Sequence, residues 1–346
     1  MAEGRAMDMI EQPDATSDDM LSRSSGAYFP RRYLTDLYRL VGERADLFEV
    51  VTYADLPWQD GDDAEAMYPK EWAAWQADLA AGRRDRGKIH LLVQYDVDSR
   101  PERTLALLRD PAHRAVPANI MVFNRRIDRR GLMSTGEVRF TDYEIDEPYL
   151  RALQAEGFLV GYHINANEQA CFDRTRALEI LNDDIADLRR RFSLRFMSAH
   201  GGVAGPDKLN NRDLPYEPRW HGDMIWVHNG RSPRFAATFS DGGHNRSKIE
   251  PADRDLRDFV QRMKPGQRYR ILLHPQYYDW PFGQSQRFTG TPWYDSMAAI
   301  AREDGHASLW SDVAEALPPR REVVALGDIR PGFAERVKSW WRRRAA

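Results

Sequence analysis

At 346 residues, 42% hydrophobic and 30% charged, the chain is long enough for one barrel-sized domain or two ordinary ones. A formal net charge of −3 gives no global field of the kind that marks a nucleic-acid binder. A single cysteine, Cys171, excludes a disulfide framework and a thiolate zinc cage.

The first stretch, "MAEGRAMDMIEQPDATSDD", is acidic and polar, so it does not read as a secretory signal. No apolar run reaches the roughly 20 residues that a membrane helix needs. Together these features predict a soluble, cytoplasmic protein. Residues 1–26 lack apolar periodicity and are expected to be a disordered tail. Residues 27–87 are expected to form an N-terminal extension packed on a larger barrel domain. Within it, Tyr33, Leu34, Leu37, Tyr38, Leu40 and Val41 recur at helical spacing. "DLFEVVTYADL" suits a short strand, and "WAAWQADLAAGRRDRG" a helix closed by glycine. "QDGDDAE" between them is acidic but lacks a calcium-loop spacing.

From residue 88 to 318 short apolar strands alternate with amphipathic helices. In order, the strands are "IHLLVQYDVD", "ANIMVFN", "FLVGYHI", "LRFMSAH", "MIWVHN", "AATFSD" and "YRILLH". Helices separate several of them, among them "EPYLRALQAEG" and the run that places Ala177, Leu178, Leu181, Ile185 and Leu188 on one face. Such alternation predicts a parallel sheet, and about seven strands with polar ends predict a barrel. Residues 319–346 form a C-terminal tail in which Phe333, Val337, Trp340 and Trp341 precede three arginines. That pattern suits peripheral contact with an anionic membrane or a helix docked on the barrel.

The strand ends carry the chemistry. In a strand, side chains alternate faces, so Gln94, Asp96 and Asp98 point one way. His163 ends the third strand, with Asn165, Asn167 and Glu168 just beyond it. His200 ends the fourth, Asp241 the sixth and His274 the seventh. In parallel α/β barrels the active site lies at these C-terminal ends. Imidazole and carboxylate donors suit a divalent metal, above all zinc. The aromatics Trp220, Trp226, Tyr277, Tyr278, Trp280, Trp293 and Tyr294 cluster near the same end, where ring faces can pack on a sugar.

"QYDVD", "GYHINANE", "FMSAHGG", "TFSDGG" and "ILLHPQYY", in this order, resemble the polysaccharide deacetylases of carbohydrate esterase family 4, the nodulation-type deacetylase homology superfamily. The resemblance covers about residues 88–280 and is closest to an uncharacterised branch. It implies a distorted (β/α)7 barrel of the glycoside hydrolase/deacetylase type and metal-dependent removal of N- or O-acetyl groups from a sugar or glycan. By position, it makes Asp96 the general base and His274 the general acid. Asp98 and His163 become metal ligands. His200, Asp241, Asn165, Tyr277 and Trp280 become supporting or substrate-binding residues. The family's second histidine falls four residues after the first, and Asn167 stands there instead. Glu168 can substitute as third ligand, or His200 can reach in. Without either, the chain is a non-catalytic glycan-binding or scaffold member. An amidohydrolase acting on a non-sugar amide is the remaining alternative.

Overall fold

The computed structural model describes residues 29–59, 65–201, 205, 209–215, 221, 223–227, 232–241, 256–278, 292–303 and 305–320. The N-terminal tail, the C-terminal Trp340–Trp341 segment, Trp220 and Trp280 lie outside them, as does the side chain of Trp293.

In chain order the strands are β1 (Phe48–Val50), β2 (Ile89–Val97), β3 (Asn119–Val122), β4 (Arg126–Ile127), β5 (Phe140–Thr141), β6 (Leu159–Ile164), β7 (Phe196–Ala199), β8 (Ile225–Trp226), β9 (Ala237–Ser240) and β10 (Arg268–Leu273). Seven of them make one path, β8-β7-β6-β3-β2-β10-β9. Every ladder along it is parallel. Strand β2 is long enough to serve two neighbours along one edge. Ile89–Leu91 pair with β1, and Gln94–Val97 with β3. The small pair β4-β5 is antiparallel and separate. The result is a curled, parallel, half-barrel α/β sheet. Among the described residues β8 and β9 do not pair, so the curl does not close.

Alternation along the strands builds two cores. Leu91, Val93, Tyr95 and Val97 face the outer helices, where they pack with Leu37, Leu108 and Leu181. Helix Arg31–Glu43 belongs to this outer layer. Leu92, Met121, Leu159, Phe196 and Ile225 face the other way. There they meet Tyr53, Leu56, Met67, Trp75 and Leu79. The N-terminal extension therefore does more than lie on the sheet: residues 51–79 fill its concave face. Of the aromatics predicted near the mouth, Trp226, Tyr278 and Tyr294 are buried in the outer core rather than offered to a ligand.

Along β2 the inward side chains change character. Leu92 lies in the apolar plug, Gln94 and Asp96 come next, and Asp98 sits just past the strand end. The concave face is thus apolar below and polar at the C-terminal edge. Because all eight strands of the sheet run parallel, every strand-end residue arrives at that same edge.

Candidate metal centre

Asp98, in the turn after β2, is the hub. Its Oδ1 lies 3.0 Å from His163 Nε2 and 3.6 Å from His200 Nε2. Its Oδ2 lies 3.6 Å from His274 Nε2. Asp98, His163 and His200 each aim one donor atom at the others, and these atoms lie within 4.8 Å of one another. Two imidazole nitrogens and a carboxylate oxygen are a fitting donor set for zinc or a similar divalent ion.

The far side of each imidazole supports that role. His163 Nδ1 donates to the Ser198 carbonyl at 3.1 Å, which in the neutral ring leaves the lone pair on Nε2. His200 Nδ1 faces Glu168 Oε1 at 3.3 Å, an ion-pair distance without an aligned hydrogen bond. Glu168 Oε2 in turn accepts from Asn211 Nδ2 at 2.5 Å. A carboxylate or carbonyl behind a ligating histidine is the usual device for fixing ring and tautomer. Glu168 thus backs His200 instead of joining the three converging donors. His200 supplies the second imidazole that the Asn167 position lacks. Phe123 stacks on His163 and meets His200 edge-on, each at 5.1 Å between centroids.

Two flanking groups have different supports. Asp96 is buried in β2, with Oδ2 3.9 Å from His163 Nε2. Its Oδ1 accepts from Gln94 Nε2 at 2.7 Å, and Gln94 Oε1 accepts from the Tyr53 hydroxyl at 2.6 Å. On the other flank Asp241 grips His274. One carboxylate oxygen takes Nδ1–H at 2.5 Å, and the other takes the His274 backbone N–H at 2.6 Å.

The charges set one another's titration. Burial alone would raise the Asp98 pKa, but His200, His163 and His274 hold it well below the usual carboxylate range. Burial would lower His163, yet Asp96 and Asp98 raise it. Glu168 stays ionised: burial opposes this, but His200, Arg129 and Asn211 bring its pKa down. For His274, burial is outweighed by Asp241 first and then by Asp98 and Asp96, which push it up to about 10.

The other predicted residues surround these groups. Asn165 lines the cleft beside Asp98, but its amide is spent on the Arg125 carbonyl and on Gln169. Tyr277 is half-buried, its ring 5.5 Å from His274. Asn167 is buried, and its backbone N–H donates to Asn211 Oδ1. Sequence reasoning missed Tyr53, Ser198 and two arginines. Arg126 Nε donates to the Asp98 carbonyl at 3.1 Å. Arg129 Nη1 donates to His200 Nε2 at 3.1 Å. Both come from "FNRRIDRRG", whose only signal is positive charge.

No protein-family model matches the chain, and no curated protein or solved structure matches it either. Among the described residues no helix is long and apolar enough to cross a membrane.

Proposed function

We propose that the protein is a metal-dependent hydrolase that removes N- or O-acetyl groups from a sugar. The observation that carries this reading is the convergence of Asp98, His163 and His200 between a second carboxylate, Asp96, and an Asp241–His274 pair. A divalent ion held by the three donors supplies Lewis acidity toward a water and an acyl carbonyl. Asp96 is the base: Gln94 holds one of its oxygens, and the other faces the cluster to take the water's proton. His274 is the acid: Asp241 holds Nδ1–H, and Nε2–H faces the cluster to protonate the departing amine or alcohol. Base and acid thus both face the cluster at which the acyl group would be held. His200 in the place of the missing second histidine favours a working site over a purely glycan-binding one.

The test is elemental analysis of chain purified without chelator, followed by acetate release from N- and O-acetylated sugars and from non-sugar amides. The expected result is close to one divalent ion per chain, lost in Asp98→Ala, His163→Ala and His200→Ala. Asp96→Asn should keep the ion and lose roughly 10²–10⁴-fold in turnover. A chain that takes up no ion when zinc is added back, or turnover that survives its removal, would overturn the reading.

A further inference from the structure

Arg129 lies in the same cleft as Asp98, Phe123, Asn165, Glu168 and His200, at the start of helix Arg129–Thr135. Its partners fit it poorly. Nη1 donates to His200 Nε2 at 3.1 Å, and Nη2 reaches the Gly201 carbonyl only at 3.5 Å. Nε is buried, and among the described residues it donates to nothing. Its charge also helps to keep Glu168 ionised. The carboxylates nearby are engaged elsewhere, Glu168 with His200 and Asn211, Asp98 with His163.

A guanidinium offers five N–H donors in a planar fork and keeps its charge at any working pH. One imidazole lone pair and a distant carbonyl leave most of that capacity unused. The lone pair in question is also the one that a cation on the cluster requires. Arg129 and the ion cannot share it. Once the ion holds His200 Nε2, Arg129 must turn its fork to whatever else occupies the cleft.

We propose that Arg129 is a binding residue for an anionic group of the ligand, a carboxylate or a phosphate held bidentately, so that the acyl sugar taken by the site is an acidic one. The sugar part rests on the function proposed above. The anion site rests on the surroundings of Arg129 and on an ion's claim to His200 Nε2.

Calorimetric titration of the full zinc-loaded chain tests this with three probes: N-acetylglucosamine, N-acetylglucosaminuronic acid and N-acetylglucosamine 6-phosphate. One or both acidic sugars should bind at least about tenfold tighter than the neutral one, about 1.4 kcal/mol. Their ranking tells carboxylate from phosphate. In Arg129→Gln the gap should close with zinc content unchanged. Arg129→Lys, which keeps the charge and loses the fork, should retain only part of it, and it carries the test if the glutamine variant does not fold. Equal affinity for acidic and neutral sugars would overturn the proposal. So would a lack of binding by either acidic sugar at millimolar concentration, or a preference that survives Arg129→Gln. Run in the Asp96→Asn background, which keeps the ion and loses turnover, the titration reads binding alone. An acidic-sugar preference in a chain without hydrolase activity would therefore sink the proposed reaction and leave the anion site standing.

Discussion

His274 shows how single contacts set the chemistry. It sits between two carboxylates with separate jobs: Asp241 fixes the ring through Nδ1, and Asp98 faces Nε2. Burial favours the neutral ring, but the Asp241 charge and hydrogen bond, with Asp98 and Asp96 behind them, raise its pKa to about 10. The imidazolium is therefore the resting form at neutral pH, as an acid requires. An ion bound to Asp98 weakens one of these pulls but leaves Asp241 in place. In a pH profile of kcat/KM, loss of this proton gives the alkaline limb. Asp241→Asn removes the main stabilising charge, and the limb should move down by about 1–3 pH units. The acid limb should stay where it is. An alkaline limb that does not move would remove His274 from the acid role. On the opposite flank the Tyr53–Gln94–Asp96 chain does a different job. Gln94 spends its N–H on one Asp96 oxygen, so the carboxylate presents the other in a fixed direction.

At the scale of elements, the site depends on how closely neighbouring strands approach. Gly161 in β6 lies where any Cβ would run into Met121 Sδ and meet the Phe196 carbonyl at 3.0 Å. A methionine can shift, but a sheet carbonyl cannot without moving β7. Gly161→Ala should destabilise the fold by about 1–3 kcal/mol. It should also loosen the 3.1 Å His163–Ser198 bond, since His163 is two residues along the same strand. A lower urea midpoint at unchanged slope, together with weaker zinc retention, checks both parts. The strands and their polar ends were legible in the sequence because alternation is a local property. The "QYDVD" pattern alone places Asp96 with Asp98. Which groups meet across the strands was not legible. The four-residue spacing points past His163 to Asn167 and Glu168, yet the short helix Ala166–Gln169 turns Glu168 behind His200. Arg129 sits in a basic loop indistinguishable by sequence from a solvated one. Its meeting with His200, 71 residues away, is a product of the sheet order.

The whole molecule is a curled sheet with a wedge in its hollow, and the wedge comes from residues that showed no chemical signature. Helix Met67–Ala80 carries bulky and charged residues on several faces, so periodicity does not say which face is inside. What seats it is an ion pair between residues 197 positions apart. Both Glu71 oxygens accept from Arg268, at 2.6 and 3.1 Å, and both side chains are fully buried. The guanidinium also lies over Trp75 at 4.5 Å and Trp72 at 5.3 Å, and it donates to the Arg234 carbonyl. Desolvating two charges costs about what their attraction returns, so the intact pair adds little net stability. Removing one partner is different, because it strands the other charge in an apolar wedge. Glu71→Gln should therefore cost about 3–5 kcal/mol, whereas Glu71→Leu with Arg268→Met should cost much less. The same wedge carries Tyr53, the far end of the chain that orients Asp96. A loosened wedge should thus lower turnover as well as stability, with metal content unchanged because Asp98, His163 and His200 all lie on the sheet side. Urea unfolding of the two variants decides between this and a passive wedge. A Glu71→Gln midpoint equal to the wild type would mean that apolar packing alone holds residues 51–79 in place.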